Sequence, residues 1–373
     1  MRSGAEVIVV GGGVIGSAIA YSLANAGSSV VLLEKGGIGG QASGAAAGLL
    51  IPPPEAIGGG PFGDLCRGSL ELYPSLVAAL DAATGIDVQF LASDLLVVPE
   101  TEEVAQGLRQ FTQLRGSGFI DFEWVDEVSL RLLEPALSPT IPGAALAVDQ
   151  RHINPGHFTQ ALARAAGLHG ADLHPGRAVI GFSLRGDRVR GVRTTERTFE
   201  CDHVVLAAGP WTRSLARKLD WDVPTSPIRG QMLAYRPTSL RHIIWPLDGY
   251  IVPGYLAPKA GGVLYVGATE EDVGFRPHTT QRGIVWLRGV ASRLVPALRH
   301  AEVATSWSGL RPGSPDKLPI LGRLPGWSNV TVATGHFRNG ILLAPVTAKL
   351  VTELITTDKT GKGLEAFLPS RFG

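Results

Sequence analysis

The stretch that decides the fold is Val7-Ile8-Val9-Val10-Gly11-Gly12-Gly13-Val14-Ile15-Gly16. Its four leading apolar residues predict a buried strand. Gly11, Gly13 and Gly16 predict, in turn, a tight turn, a close approach of backbone to a pyrophosphate, and close packing of a helix on the strand. Glu34 ends the next apolar run, where a carboxylate can accept hydrogen bonds from ribose hydroxyls. Strand, turn, helix, strand and acid in this order predict a dinucleotide-binding βαβ unit. The alternative is a plain buried βαβ unit.

The same segment is apolar enough to suggest a signal peptide or a membrane anchor. Only Arg2 supplies positive charge before it, and three consecutive glycines, 11–13, interrupt the apolar run of residues 7–20. The run is also shorter than the roughly 20 residues that a membrane helix needs. No other segment is predicted to be long and apolar enough to span a bilayer, so we expect no membrane association.

Bulk composition points to a folded protein with a small-molecule partner. The chain has 373 residues, 45% of them hydrophobic, a length typical of about two domains. Lys plus Arg number 34 against 33 Asp plus Glu, and no long run of one sign occurs. This balance indicates neither a nucleic-acid-binding surface nor an anionic-membrane surface.

The cysteines and histidines suggest no metal site and no disulfide framework. Cys66 and Cys201 form no CxxC pair and are predicted to be buried in a protein of the reducing cytoplasm. The nine histidines lack metal-ligand spacing, and we expect His152 and His157, near a Pro-Gly pair, to be solvated. No Gly-x-Ser-x-Gly motif appears, so hydrolase and metalloenzyme functions lack support.

A run of small residues follows the βαβ unit, from Gly36 to Gly48. Small side chains allow the backbone to lie against a flat ligand. The alternative is a flexible surface loop, which the directly following apolar stretch 45–51 disfavours. Farther on, residues 201–209 read as a buried strand that ends in small residues, and residues 330–333 as a strand followed by a turn and an apolar helix over about 341–355.

Together these motifs resemble the FAD-dependent amine oxidases of the D-amino-acid oxidase group, and among them the glycine oxidases, over nearly the whole chain. The most specific motifs are Gly309-Leu310-Arg311-Pro312-Gly313 and the run from Gly335 to Pro345. The N-terminal glycine run, Ser43 to Leu49 and Tyr250-Ile251-Val252-Pro253 also match. The resemblance implies an α/β fold: a Rossmann-type FAD-binding domain (1–85, 146–225 and 305–373) with an inserted, mostly antiparallel β-sheet substrate domain (86–145 and 226–304).

The resemblance implies FAD as the cofactor, bound noncovalently because neither cysteine lies within residues 305–345. It places the glycine turn and the small-residue run along the cofactor, Glu34 and Lys35 at the ribose, Val179 at the adenine end, and residues 336–342 around the isoalloxazine. The implied contacts are Gly11, Gly13, Val14, Ile15, Gly16, Glu34, Lys35, Ala42, Ser43, Ala47, Gly48, Leu49, Val179, His336, Phe337, Arg338, Asn339, Gly340, Ile341 and Leu342.

Three residues are candidates for the substrate site. The resemblance places Arg311 at the substrate carboxylate, and a guanidinium fork binds a carboxylate bidentately. The alternative is a surface arginine in a turn. Tyr250, at the start of a predicted strand, would donate its hydroxyl to the same carboxylate or be an ordinary half-buried tyrosine. Arg338 either stabilises substrate or flavin or serves only the start of the last helix. The stretch 254–262 is predicted to be a loop longer than that of glycine oxidases.

The implied activity is oxidation of glycine or N-methylglycine at Cα, with hydride transfer to the flavin and reduction of O2 to H2O2. A side-chain base is not required, although His336 stands beside Arg338. The alternatives are a D-amino acid oxidase, an amine dehydrogenase with another electron acceptor, and a flavin-binding subunit without turnover. Thiamine thiazole synthesis and amine catabolism both fit as pathways, and homo-oligomer formation is left open.

Overall fold

A computed structural model describes residues 4–113, 120–248, 254–359, 361 and 363–373. Tyr250 and the strand predicted at 250–252 lie outside these residues. The strands are β1 (Gly4–Val10), β2 (Val30–Glu34), β3 (Leu91–Ala92), β4 (Leu95–Pro99), β5 (Glu123–Asp126), β6 (Gly143–Ala147), β7 (Arg151–His152), β8 (Asp172–Pro175), β9 (Val179–Arg185), β10 (Arg188–Thr194), β11 (Thr198–Leu206), β12 (Ser226–Tyr235), β13 (Ile243–Leu247), β14 (Tyr255–Lys259), β15 (Val263–Gly267), β16 (Glu271–Asp272), β17 (Val303–Gly313), β18 (Ile320–Arg323) and β19 (Val330–Thr334).

The α-helices are α1 (Val14–Asn25), α2 (Ala42–Ala45), α3 (Pro54–Ile57), α4 (Gly60–Thr84), α5 (Glu102–Gln113), α6 (Glu127–Leu133), α7 (Pro155–Leu168), α8 (Thr212–Ala216), α9 (Gln281–Leu294) and α10 (Gly340–Thr357). Short 3-10 turns include Gly209–Trp211 and Phe337–Asn339. The predicted first helix and last helix are both present, with ends within a few residues of those expected.

The first sheet is built around the glycine-rich turn. Its parallel strands lie in the order β8-β2-β1-β11-β19, with β18 antiparallel at one edge. The chain leaves β1 toward β2 on one side, and β11 lies on the other. The carboxyl end of β1 is therefore a topological switch point, where open α/β sheets bind ligands. This arrangement confirms the Rossmann-type part of the predicted fold.

The helix α10 passes through the core beside α1. Within the described residues, Phe337–Thr357 is long and apolar enough to cross a membrane, but 61% of its most apolar window is buried inside the fold. The prediction that no segment other than 7–20 is long and apolar enough to span a bilayer was therefore wrong. Its apolar character matches its packing against α1 and α4, as expected of the core helix of a folded domain.

The second sheet is mostly antiparallel, as predicted. Its strands lie in the order β16-β12-β15-β14-β13-β4-β6-β5, with β17 paired to β12 and one parallel pair, β13 with β4. The stretch 254–262 is not a long loop, because β14 and β15 form a hairpin. The domain boundaries stay a prediction. Sheet membership would move the last of them, because Val303–Gly313 is hydrogen-bonded into the second sheet.

Candidate active site

A cavity of about 1060 Å³ opens at the carboxyl end of β1 and is lined by residues of both sheets. This volume lies at the upper end of ordinary ligand pockets, which span roughly 300–1,000 Å³. Most residues predicted to contact a cofactor lie in its wall: Gly11, Gly13, Val14, Ile15, Glu34, Lys35, Ala42, Ser43, Ala47, Gly48, Leu49, Val179, His336, Phe337, Arg338, Asn339, Gly340 and Ile341.

The glycine turn allows close packing beneath the cavity. Gly11 has a φ of +114°, and a Cβ there would lie 2.4 Å from the carbonyl oxygen of Ala207. A Cβ at Gly16 would lie 1.8 Å from the carbonyl oxygen of Gly11, so helix and strand meet only because position 16 has no side chain. Gly16 thus packs under the turn, as its predicted packing role requires, and is not in the cavity wall.

The N-terminus of α1 opens into the cavity. The Val14 N–H donates to Ser43 Oγ over 2.9 Å, and a Cβ on Gly13 would lie 3.2 Å from the same oxygen. A helix N-terminus carries partial positive charge and free N–H groups, which favour a phosphate. The absence of a side chain at Gly13 leaves room there, so this end of the cavity fits the pyrophosphate of a dinucleotide.

The acid at the end of β2 is fixed by backbone donors. Glu34 is 8% exposed, and its two carboxylate oxygens accept the N–H groups of Gly12 and Gly36, each over 2.7 Å. Its position in the wall suits a ribose. Lys35 was predicted beside it at the ribose, but its ammonium lies 3.0 Å from the centroid of the Trp211 ring. Burial, opposed by the charge of Glu34, lowers the pKa of Lys35.

Two predicted residues have other surroundings. Leu342 was expected at the isoalloxazine, yet it is 1% exposed and lies in the core, where its carbonyl accepts the Ser69 hydroxyl over 2.6 Å. His336 lines the cavity, but its Nε2 lies 3.0 Å from Thr347 Oγ1 in α10, and burial lowers its pKa to about 3. The imidazole is therefore neutral and tied to the helix, which suits a structural role.

Arg311 projects from β17 into the cavity. Its Nη1 donates to the Thr269 carbonyl over 2.9 Å, which is its only hydrogen bond within the described part of the chain. The guanidinium lies over Gly230 on β12, where an added Cβ would come within 2.4 Å of it. Removal from water lowers its pKa, while Tyr255 and Glu270 oppose the shift. Most donors of the guanidinium fork are thus left for an anionic ligand.

Tyr255 is a cavity residue that sequence reasoning missed. It begins β14, and burial raises the pKa of its phenol to about 12 despite the charge of Arg311. The hydroxyl stays protonated, and its bonded partner, Met232 Sδ at 3.7 Å, is a weak acceptor. The available signal was the run 255–259 followed by Gly261-Gly262 and a second apolar run, which is typical of a hairpin.

The mouth of the cavity carries charged pairs. Arg338 forms an ion pair with Glu55, and both line the cavity. Lys317 lies 3.8 Å from Glu270, and these two residues also line the cavity. Phe337, beside Arg338, has a φ of +49°, a left-handed conformation that costs a non-glycine residue on the order of 1–3 kcal/mol and occurs often at ligand sites. Arg338 is therefore a rim residue with an acidic partner.

A second missed residue, Lys259, ends β14 just outside the cavity wall. Its ammonium donates to the carbonyls of Ala47 and Ile153 and to His152 Nδ1, over 2.9, 3.0 and 2.9 Å. Burial lowers the pKa of Lys259 to about 7 and, with the nearby ammonium, that of His152 to about 4. His152 is 4% exposed, so the prediction that it is solvated was wrong; His157 is exposed, as expected.

Both cysteines are free and buried, as predicted, and neither is among the residues that line the cavity. Burial raises the pKa of each thiol to about 12, so thiolate chemistry is suppressed. Within the described residues, no three His, Cys, Asp or Glu side chains are grouped so that they could hold a metal ion.

Comparison with known proteins identifies the class. The family of FAD dependent oxidoreductases matches residues 6–354, and the chain belongs to it. The glycine oxidase of Geobacillus kaustophilus is 35% identical over 98% of this chain and 97% of its own length. A crystal structure of glycine oxidase from Geobacillus kaustophilus superposes with a TM-score of 0.90 at 33% identity, covering 98% of both chains.

A longer relative is also similar. The bifunctional protein ThiO/ThiG of Synechocystis is 35% identical over the whole chain, but the chain spans only 55% of that protein. These findings confirm the predicted fold class, the FAD cofactor, the assignment to the oxidoreductases and the resemblance to glycine oxidases.

Proposed function

We propose that this protein is an oxidase of small amino acids, with glycine and N-methylglycine as substrates. The substrate would lose a hydride from Cα and a proton from nitrogen, and water would convert the imine to glyoxylate plus ammonia or methylamine. Bound FAD would supply the two-electron acceptor and pass the electrons to O2 as H2O2. The observation that carries the proposal is the Arg311 guanidinium in the cavity, with most of its donors unused by the described protein groups.

The chain's own groups support binding and orientation. The Arg311 fork suits bidentate contact with a substrate carboxylate, and the protonated Tyr255 hydroxyl suits a further hydrogen bond to it. Together they would hold a short zwitterion with its Cα in one orientation, which is the contribution that positioning makes to catalysis. His336 is neutral and bonded to Thr347, so no side-chain base is assigned.

The N-terminus of α1, Glu34 and the run from Ala42 to Leu49 are proposed to hold FAD. Gly13 has no side chain and so leaves room for the pyrophosphate. The Glu34 carboxylate, held by backbone N–H groups, suits the ribose, and the small side chains of the run suit a flat ring. Noncovalent binding is proposed because neither cysteine lines the cavity. Free, buried cysteines also suit the reducing cytoplasm, which is the proposed location.

The test is anaerobic reduction of the purified, yellow protein by glycine and by N-methylglycine. We expect the flavin absorbance to bleach with either amine, and stoichiometric peroxide to form when air is admitted. A flavin that stays oxidised with both amines contradicts the substrate assignment. Bleaching by D-alanine or D-proline alone would indicate a D-amino acid oxidase, and bleaching without peroxide in air would indicate a dehydrogenase with another acceptor.

A further inference from the structure

A partly buried polar network is joined to the Arg311 guanidinium through the Thr269 carbonyl. Arg229 on β12 and Glu271 on β16 are cross-strand partners, and their side chains form an ion pair at 2.6 Å. The Arg229 side chain is only 7% exposed. The other oxygen of Glu271 accepts hydrogen bonds from Gln231 Nε2 and Thr269 Oγ1, each over 2.6 Å. Gln231 is fully buried and Thr269 is 8% exposed, whereas the Glu271 side chain is 30% exposed, so the network is buried at Gln231 and reaches solvent at Glu271.

Thr269 joins this network to the cavity. Its hydroxyl donates to Glu271 and accepts the Gln231 N–H over 2.9 Å, while its own N–H donates to the Gln231 carbonyl over 3.2 Å. Its carbonyl accepts Nη1 of Arg311 over 2.9 Å. The residue is therefore held through its hydroxyl and its N–H, and the peptide group that follows presents its oxygen to the guanidinium.

The network stays charged at neutral pH. Burial alone would raise the pKa of Glu271, but hydrogen bonds from Arg229, Thr269 and Gln231 outweigh burial and lower it. An ionised Glu271 is a strong acceptor for the Thr269 hydroxyl, because hydrogen bonds to charged groups are about twice as strong as neutral ones. The orientation of Thr269 is thus fixed by a charge-assisted hydrogen bond to a partly exposed carboxylate.

We infer that Thr269, fixed by Glu271, is a positioning residue that orients the Arg311 guanidinium for a substrate carboxylate. This inference rests on the proposed function. A guanidinium is planar with donors in a fixed fork, so one bond from Nη1 restricts its plane and leaves the remaining donors aimed at the cavity. Without that restriction, the side chain loses rotamer freedom only when the ligand binds, and affinity falls.

The test compares Thr269→Val with Thr280→Val. Both variants remove one hydroxyl from the network, since Thr280 Oγ1 accepts a hydrogen bond from Gln231 Nε2 over 3.0 Å. Within the described residues, Thr280 is not hydrogen-bonded to Thr269 or Arg311. The readouts on FAD-loaded protein are KM and kcat for glycine, the competitive inhibition constant of acetate, the unfolding temperature and the FAD dissociation constant. Thr269→Ser, which keeps the hydroxyl, is the rescue variant.

We expect Thr269→Val to raise both the KM for glycine and the inhibition constant of acetate roughly tenfold, the effect of weakening a hydrogen bond to a charged group. Values of kcat at saturating glycine should change less than about twofold, as expected for loss of uniform binding. Thr280→Val should lower the unfolding temperature by as much as Thr269→Val does, but should leave acetate binding unchanged. Thr269→Ser should behave like the wild type. FAD affinity should be unchanged in all three variants.

Equal acetate binding in the two valine variants would overturn the inference and leave the network a purely structural one. If Thr269→Val does not fold, Glu271→Gln serves instead: it weakens the same bond one step farther away, and an inhibition constant raised about threefold is expected. An unchanged constant there also overturns the inference. If Arg311→Ala itself leaves acetate inhibition unchanged, the carboxylate clamp of the proposed function fails, and the inference fails with it.

Discussion

Two cationic side chains of the second sheet approach the cavity, and they differ in how far their hydrogen-bond donors are used. Lys259 has three N–H donors, and three acceptors on other segments surround it at 2.9–3.0 Å. Arg311 has five donors, and within the described residues only one of them is bonded, to the Thr269 carbonyl. The ion pairs that line the cavity, Lys317 with Glu270 and Arg338 with Glu55, involve neither of them.

The difference separates a structural charge from a binding charge. A buried cation is costly unless its donors find acceptors. Lys259 meets this requirement inside the protein and thereby ties β14 to the segment at Ala47, which lines the cofactor end of the cavity. Arg311 does not, so its remaining donors are available to an anion. The count of unused donors therefore distinguishes which of the two partly buried basic side chains binds a ligand.

The largest effect should come from removing Arg311, the side chain with unused hydrogen-bond donors. Arg311→Ala should raise the KM for glycine roughly 10- to 150-fold, because a charge-assisted bond to a carboxylate is worth about 1.5–3 kcal/mol. The FAD spectrum and FAD affinity should be unchanged. Steady-state kinetics with peroxide detection gives KM. The KM of Arg311→Lys, which keeps the charge but loses the guanidinium fork, should lie between those of the wild type and Arg311→Ala. Loss of flavin in Arg311→Ala would mean that the residue belongs with Lys259 as a structural charge.

Lys259→Met should show the opposite behaviour. It leaves the Ala47 and Ile153 carbonyls without their donor, at about 1–3 kcal/mol for each buried group left unsatisfied. We expect a lower unfolding temperature and weaker FAD binding, with little change in the glycine KM of the FAD-saturated enzyme. Calorimetry and flavin fluorescence measure the two effects. Lys349→Met, at an exposed position of α10, is the matched control and should change neither. A raised KM with unchanged stability would erase the distinction from Arg311.

The sequence was sufficient for the cofactor end of the cavity because its determinants are local. Turn, helix N-terminus and acid follow one another within a single βαβ unit, and the structure places Gly11, Gly13 and Glu34 in the cavity wall as expected. Arg311 could be named from its motif. The local pattern could not predict how many of the Arg311 hydrogen-bond donors are left unused by the surrounding protein groups.

The substrate end was less predictable because its determinants lie on separate strands. Tyr250 and Tyr255 each begin a run of two apolar residues and a proline, so the local sequence does not distinguish them. The distinction for Tyr255 comes from pairing with Gly267 in the hairpin. Lys259 reaches Ala47 across 212 residues, and a contact of that separation leaves no trace in the pattern of one sequence.

A smaller effect is expected from crowding the Arg311 guanidinium. Gly230→Ala places a Cβ 2.4 Å from it. Because the guanidinium is the end of a flexible side chain, it should move while the fold remains. We expect KM for glycine to rise about tenfold, the equivalent of roughly 1.4 kcal/mol, with an unchanged unfolding temperature. Gly289→Ala, in α9 with no atom within 4 Å, is the control. An unaltered KM would show that substrate binding does not depend on the position of the Arg311 guanidinium over Gly230.

The smallest effect on activity at neutral pH is expected from replacing His336, a buried imidazole whose Nε2 is already hydrogen-bonded to Thr347. Its folded pKa of about 3 lies below its ordinary 6.5. Between these values the unfolded chain binds a proton that the folded chain does not, so stability should fall as the pH drops below 6.5 and be constant above it. His336→Gln should therefore remove part of the difference in unfolding temperature between pH 7.5 and pH 5. Its pH profile of kcat/KM from pH 7 to 9 should follow that of the wild type. The His336 imidazole, with a pKa of about 3, does not gain or lose a proton in that range. A shifted profile would therefore place His336 with Arg311, among the groups that act on substrate.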